Sequence, residues 1–174
     1  MAIVGDKDAG VSDLMTTVGR FMDIMDINTH SLGLEVETFG KIEGTGRYFG
    51  LNLVEIVDLS LLYQQPQVLD EFQGVMFVFP LTGEVKEDNL VVKVAKKLQE
   101  RKETTQVLYF VANKLEAIFR KGYEPKIITE KFPFFPAVKF LPVSPHHAFN
   151  MEYLFTTLIH ELYNRNKPVD PEDN

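Results

Sequence analysis

The chain has 174 residues, 45% hydrophobic and 25% charged, which suits one globular domain with a substantial core. Its net charge of −7 argues against nucleic acid, whose phosphates reward basic surfaces. The absence of cysteine excludes disulfides, thiolate metal sites, prenylation and palmitoylation, so no direct membrane anchor is expected.

No apolar run is long enough to cross a bilayer, and the first residues lack the form of a signal peptide, so a cytoplasmic address is expected. Residues 2–4 are a short apolar run ending at Gly5 and predict a buried strand. Gly5 and Gly10 enclose four residues, and Ser12 follows. This is the frame of the phosphate-binding loop G-x-x-x-x-G-K-[ST], with Val11 in place of the lysine. In such a loop the backbone N–H groups wrap the phosphates, the lysine reaches the outer two, and the hydroxyl binds Mg²⁺. Lys7 offers a charge from inside the loop, at a different place on the backbone.

Residues 12–25 predict a helix, because Leu14, Val18, Phe21, Met22 and Met25 recur at helical spacing and Ser12 and Asp13 suit a first turn. Residues 28–33 read as a polar loop. Residues 34–42 and 48–57 read as strands, and Glu43-Gly44-Thr45-Gly46 favours a hairpin between them. Residues 58–73 read as a loop with a short helix after Pro66. Residues 74–81 are apolar on both faces, as a central parallel strand should be.

Residues 87–102 predict an amphipathic helix with a stripe of Leu90, Val91, Val94 and Leu98. Residues 106–112 predict another buried strand, and 114–121 a helical turn or two. Phe-Pro-Phe-Phe-Pro within 130–136 cannot hold a regular helix. Residues 137–143 predict a last strand. Residues 150–164 predict the clearest helix, with Met151, Leu154, Phe155, Leu158, Ile159 and Leu162 on one face. Residues 167–174 form an acidic, proline-containing tail expected to be disordered, which leaves 1–166 as the domain. Strands that alternate with helices after one hairpin predict a three-layer α/β domain. Its sheet should be mostly parallel with one antiparallel hairpin strand, and its ligand edge should lie at the strand C-termini.

Several stretches follow the loop in order. They are Ser31-Leu32-Gly33-Leu34-Glu35-Val36, Val57-Asp58-Leu59-Ser60-Leu61, Val78-Phe79-Pro80-Leu81-Thr82, Asn113-Lys114-Leu115-Glu116 and Val143-Ser144-Pro145-His146. Asn150-Met151-Glu152-Tyr153-Leu154-Phe155 closes the series. In order and spacing they resemble the Ras superfamily of small GTPases, nearest its Rab and Ran branches, across residues 3–162. There they stand for the first switch, Asp-x-x-Gly, Val-Phe-Asp-Val-Thr, the guanine-reading Asn-Lys-x-Asp and Val-Ser-Ala-Lys. The resemblance implies a Ras-like P-loop fold and a nucleotide site at Gly5, Lys7, Gly10, Val11, Ser12, Asn113, Lys114, Glu116 and Ser144. It implies Mg²⁺ on Ser12, Ser31 and Asp58, which are hard oxygen donors. It implies a switch and partner surface at Ser31, Gly33, Glu35, Asp58, Leu61, Leu62 and Tyr63.

The departures from that pattern have chemical meaning. Val11 removes the phosphate-facing cation. Glu116 replaces the aspartate that takes two hydrogen bonds from guanine, and its extra methylene spoils the bidentate geometry. Leu61 replaces the glycine that meets the γ-phosphate, and Leu62 the glutamine that orients water. Pro145 and His146 replace the pair that covers the base. Leu59, Leu61, Leu62 and Tyr63 are expected to fill the space that Mg²⁺ and phosphate vacate, with Leu61 or Leu62 pointing into the phosphate pocket.

The surviving residues admit a plainer reading as parts of the fold: Gly10 where strand turns to helix, Ser12 as a helix cap, Asp58 at a strand end, Lys114 along the sheet edge. His146-His147 has no third ligand at fixed spacing and reads as a solvated pair. Phe132, Phe134 and Phe135, interleaved with Pro133 and Pro136, offer either a partner surface or a cover for the sheet edge. The expectation is a non-catalytic pseudo-GTPase that binds a protein partner through its former switch surface and needs no cofactor. The alternative is an atypical Rab-like switch in vesicle or intraflagellar transport that binds GTP/GDP with Mg²⁺ weakly and hydrolyses GTP slowly.

Overall fold

A computed structural model describes residues 1–41, 48–101, 106–119 and 126–166. The protein is an α/β domain built on a seven-stranded sheet with strand order β2-β3-β4-β1-β5-β6-β7. The strands are β1 (Ala2–Gly5), β2 (Asp23–His30), β3 (Gly33–Lys41), β4 (Tyr48–Ile56), β5 (Gly74–Pro80), β6 (Val107–Asn113) and β7 (Leu141–Pro142). β4, β1, β5, β6 and β7 pair in parallel, whereas β3 runs antiparallel to both of its neighbours. One strand therefore opposes the rest, in a single hairpin ribbon at one side.

Helices lie on both faces. α1 (Val11–Thr17) and α6 (Met151–Asn166) cover one, where Ile3, Leu14, Met15, Val36, Leu53, Val111, Leu154, Phe155 and Leu158 form a buried cluster. α2 (Leu59–Gln64), α3 (Leu90–Gln99) and α5 (Lys126–Lys131) cover the other, over Val4, Leu62, Phe77, Phe79, Val92, Leu98 and Phe110. β1 and β5 are buried on both faces, as parallel central strands are. α4 (Glu116–Phe119) follows β6 directly. Among the described residues no helix is long and apolar enough to cross a membrane.

The structure corrects several expected elements. The helix expected over 12–25 stops at Thr17, and a 3-10 turn, Val18–Arg20, ends it. Residues 23–30 are not helix tail and loop but an extra edge strand. Asp26, Ile27, Asn28 and Thr29 keep a strand period, but the register shift between Ile24 and Asp26 puts Asp23 and Ile24 out of phase with them, and Met22 and Met25 continue the helical spacing. Gly19 makes the change possible. A Cβ there would stand 2.6 Å from Ile24 Cδ1, so the glycine leaves room for the Ile24 side chain as β2 folds back.

Residues 58–73, expected as loop with a short helix after Pro66, hold that helix as a 3-10 segment, Pro66–Glu71, and in addition α2. Asn89, not Glu87, starts α3: its side chain accepts from the Val91 N–H at 2.8 Å. The last strand shrinks from 137–143 to Leu141–Pro142, and its second residue, Pro142, has no N–H to donate to the ladder. Phe132 and Phe135 are 1% and 4% exposed and pack with Phe79, Phe110 and Phe140, so two of the three phenylalanines cover the sheet. The hairpin at Glu43-Gly44-Thr45-Gly46 and the tail at 167–174 lie outside the described residues.

Candidate functional site

The loop between β1 and α1 is closed by its own backbone and by β6. The Ala9 N–H donates to the Asp6 carbonyl at 2.8 Å. Gly10 takes a left-handed conformation, φ 73°, and its carbonyl accepts from Leu14, so it is the helix cap and needs to be glycine. Asn113, 1% exposed, donates from Nδ2 to the Ala9 carbonyl at 2.7 Å and to the Gly10 carbonyl at 3.3 Å. It fastens the loop to the end of β6. Lys114 also has positive φ, 63°, and its Cε lies 3.4 Å from where a Gly10 Cβ would stand, so its stem crosses the loop.

The loop's charges are acidic on balance. Asp6 and Asp8 flank Lys7, and Asp6 accepts from the Asn89 side chain at the start of α3. Val11 is 4% exposed, and a Cβ on Gly5 would meet its Cγ2 at 2.6 Å. A methyl group thus packs where the loop frame calls for a cation. The Ser12 hydroxyl donates to Glu55 Oε1 and Oε2, each at 3.4 Å. The alternation of Leu53, Val54 and Glu55 on β4 turns Glu55 to the α1 side, where it meets Ser12, a pairing that the residues around Glu55 do not announce.

A cleft of ≈ 280 Å³ lies beside the loop, lined by Asp13, Arg20, Asn113, Lys114, Glu116 and His146 among others. Glu116 Oε2 is buried there without a hydrogen-bond partner. Ser144 is fully buried; its hydroxyl stands 3.2 Å from His147 Nδ1 and accepts from the His147 N–H at 3.4 Å. It shapes the turn after β7 and does not line that cleft.

A second cleft, ≈ 330 Å³, lies between the β2–β3 turn and α2. His30, Ser31, Gly33, Val57, Asp58 and Leu61 line it, with Leu32, Ile56, Leu62 and Val68. The turn is tied down by the Val57 N–H, which donates to the Leu32 carbonyl at 3.0 Å. Gly33 must be glycine, because a Cβ would stand 2.1 Å from the Glu55 carbonyl oxygen. Asp58 caps α2: its Oδ1 accepts from the Leu61 N–H at 2.8 Å.

Leu61 and Leu62, expected to fill the space that Mg²⁺ and phosphate vacate, both reach the cleft that holds Ser31 and Asp58, away from the Gly5–Ser12 loop. Leu62 is 1% exposed and belongs to the core under α2, so its side chain is no surface. Leu61 lines the second cleft, whose walls include no residue of the loop. A helix starting after Asp58 sends successive side chains around its axis, and this carries Leu61 and Leu62 to the hairpin and the core. Tyr63 lies under α3, with Lys97 Nζ 3.8 Å from its ring centre and bonded to its carbonyl at 3.1 Å. Glu35 accepts from Asn52 Nδ2 at 3.4 Å on the outer ribbon.

Of the three oxygen donors expected for Mg²⁺, Ser31 and Asp58 share the second cleft, whereas Ser12 faces Glu55. No group of three His, Cys, Asp or Glu that could hold a metal ion occurs among the described residues. The donor set fits a Mg²⁺–nucleotide phosphate poorly: a methyl replaces the cation, and carboxylates surround the loop. No protein-family model matches the chain, and no curated protein matches it.

Proposed function

We infer that this chain is a non-catalytic, Ras-like binding module, cytoplasmic, that holds a protein partner on the hairpin and α2 face and turns over no nucleotide. The observation that carries the reading is the Glu55 carboxylate on the Ser12 hydroxyl. In a working loop that hydroxyl meets Mg²⁺ beside two phosphates. Here an anion faces it, with Asp6 and Asp8 in the loop and no lysine before it. Each repels phosphate, and together they oppose the ligand that the loop's shape invites.

The order of the motifs and the parallel sheet support the Ras-like part of the reading. The tied-down turn at Leu32 and the capped helix at Asp58 support the binding part. They hold by hydrogen bonds and packing a surface that the resembling family orders with γ-phosphate. The deciding experiment is the nucleotide content of the purified chain, read by denaturing it and chromatographing the supernatant. An empty chain is expected; stoichiometric GDP or GTP overturns the reading.

One observation favours the atypical GTP-binding switch instead. Glu116 Oε2 is buried in the first cleft with no partner, next to Asn113 and Lys114. A bound base bearing N–H donors would satisfy it. Titration with guanosine against GTP separates the two readings, since a base cleft without a phosphate site binds both equally.

A further inference from the structure

The sheet ends at β2, and among the described residues no strand pairs with its outer side. Seven of its eight residues are exposed, and three of them are apolar: Ile24, Met25 at 66% and Ile27 at 52%. From Phe21 to Gly40 the sequence carries four carboxylates, Asp23, Asp26, Glu35 and Glu37, and no lysine or arginine. Asp26 stands directly opposite Glu37, and Asn28 opposite Glu35, so one face of the ribbon gathers like charges. Carboxylates directly opposed across two strands repel each other. Ile27 stands opposite Val36 on the other face.

The edge is partly closed by its own chemistry. The Ile27 N–H donates to Asp26 Oδ1 at 2.8 Å, and Asn28 Nδ2 to Asp26 Oδ2 at 3.1 Å. A register shift between Ile24 and Asp26 bends the first half of the strand. Such devices protect an edge from casual pairing. A neutral or acidic strand gains nothing by displacing the Asp26 carboxylate. A strand that brings a cation draws the carboxylate to itself, frees the Ile27 amide and relieves the Asp26–Glu37 repulsion.

We propose that β2 is the docking edge for an extended partner segment in which lysine or arginine alternates with apolar residues, added as an eighth strand. This deepens, and rests on, the reading of the hairpin as a protein-binding surface. Main-chain hydrogen bonds supply the pairing, and the alternating side chains supply the choice of partner. The cations meet Asp26 and Glu37, while the apolar residues meet Ile27. A second copy of this chain fits worse, because it brings the same four carboxylates to the same edge.

The probe is a short capped peptide of alternating lysine and valine, with glutamate–valine and threonine–valine peptides as controls. Backbone amide exchange is followed on the full chain. The lysine peptide is expected to slow exchange over residues 26–30, and its binding to weaken steeply with added salt. Asp26→Lys with Glu37→Lys, both at exposed or half-buried ribbon positions, is expected to weaken it by about tenfold or more and leave the melting temperature unreduced. Equal protection by the threonine peptide overturns the proposal, as does protection by neither. Protection without peptide, in a sample of dimeric mass, gives the edge to a second copy and overturns it too. Nucleotide content stands apart: a nucleotide-loaded chain that takes the peptide sinks only the pseudo-GTPase reading, and an empty chain that ignores it sinks only this one.

Discussion

The Asn113 side-chain amide donates to the Ala9 carbonyl at 2.7 Å across 104 residues of sequence. The loop is thereby fastened to the end of β6. Asn113→Ala would leave the Ala9 carbonyl short of its buried partner, at a cost of about 1–3 kcal/mol. Chemical denaturation should show that loss. An unchanged midpoint would mean that the loop is held in some other way.

Nucleotide affinity is the second expectation. GDP and GTP should bind more weakly than about micromolar, because each lost charged contact to phosphate commonly costs about 2–5 kcal/mol. Glu55 adds a term that Val11 and Glu116 alone do not. Restoring the lysine by Val11→Lys should therefore recover less affinity than Val11→Lys with Glu55→Gln. Calorimetry on both variants checks the order, and equal recovery would remove Glu55 from the argument. Single-turnover assays with Mg²⁺ should find no GTP hydrolysis above background.

The third concerns Asp58 and the leucines after it. Leu62 fills the core, so Leu62→Ala should cost about 2–5 kcal/mol. Leu61 is only half-buried against the second cleft, and Leu61→Ala should cost less than half as much. Leu61→Gly should add about 1 kcal/mol more for glycine in a helix. Thermal melts rank the three, and a larger loss at Leu61 than at Leu62 would mean that α2 is turned the other way.

Most of the sheet was legible because β5 and β6 are continuous apolar runs, and such runs in a chain of this length are central strands. α6 was legible for the same kind of reason, six apolar residues on one stripe. β2 was not. Met22 and Met25 sit at helical spacing from Leu14 and Val18, and the period-two signal is confined to the few residues after the register shift, on an exposed edge. Only Gly19, where Ile24 packs, betrays the turn. At the site, Gly10 and Asn113 could be read from their types. Glu55 could not be read from its own stretch, because its meaning lies in which face of β4 points at Ser12. The places of Leu61 and Leu62 on α2 were not legible, because residues 58–65 read as a loop where Asp58 caps a helix.

The last expectation is a pH dependence. Tyr109 stands on β6 with its hydroxyl buried, against the α6 side of the sheet. Burial first, and then the Glu161 carboxylate, push its phenol well above the ordinary value. A phenol that ionises later when folded holds its proton more tightly in the native state. Its contribution to stability is complete below the unfolded value, about pH 10, and is lost as pH rises from there towards the folded one. Tyr109→Phe has no proton to lose. Near neutral pH the variant should match the parent to within about 0.5–1.5 kcal/mol. From about pH 9 to about pH 11 the parent should lose stability faster than the variant. Paired urea titrations at the two pH values test this, since all other alkaline groups are common to both chains. Parallel losses would mean that the phenolate is solvated in the folded protein and that Glu161 does not oppose it.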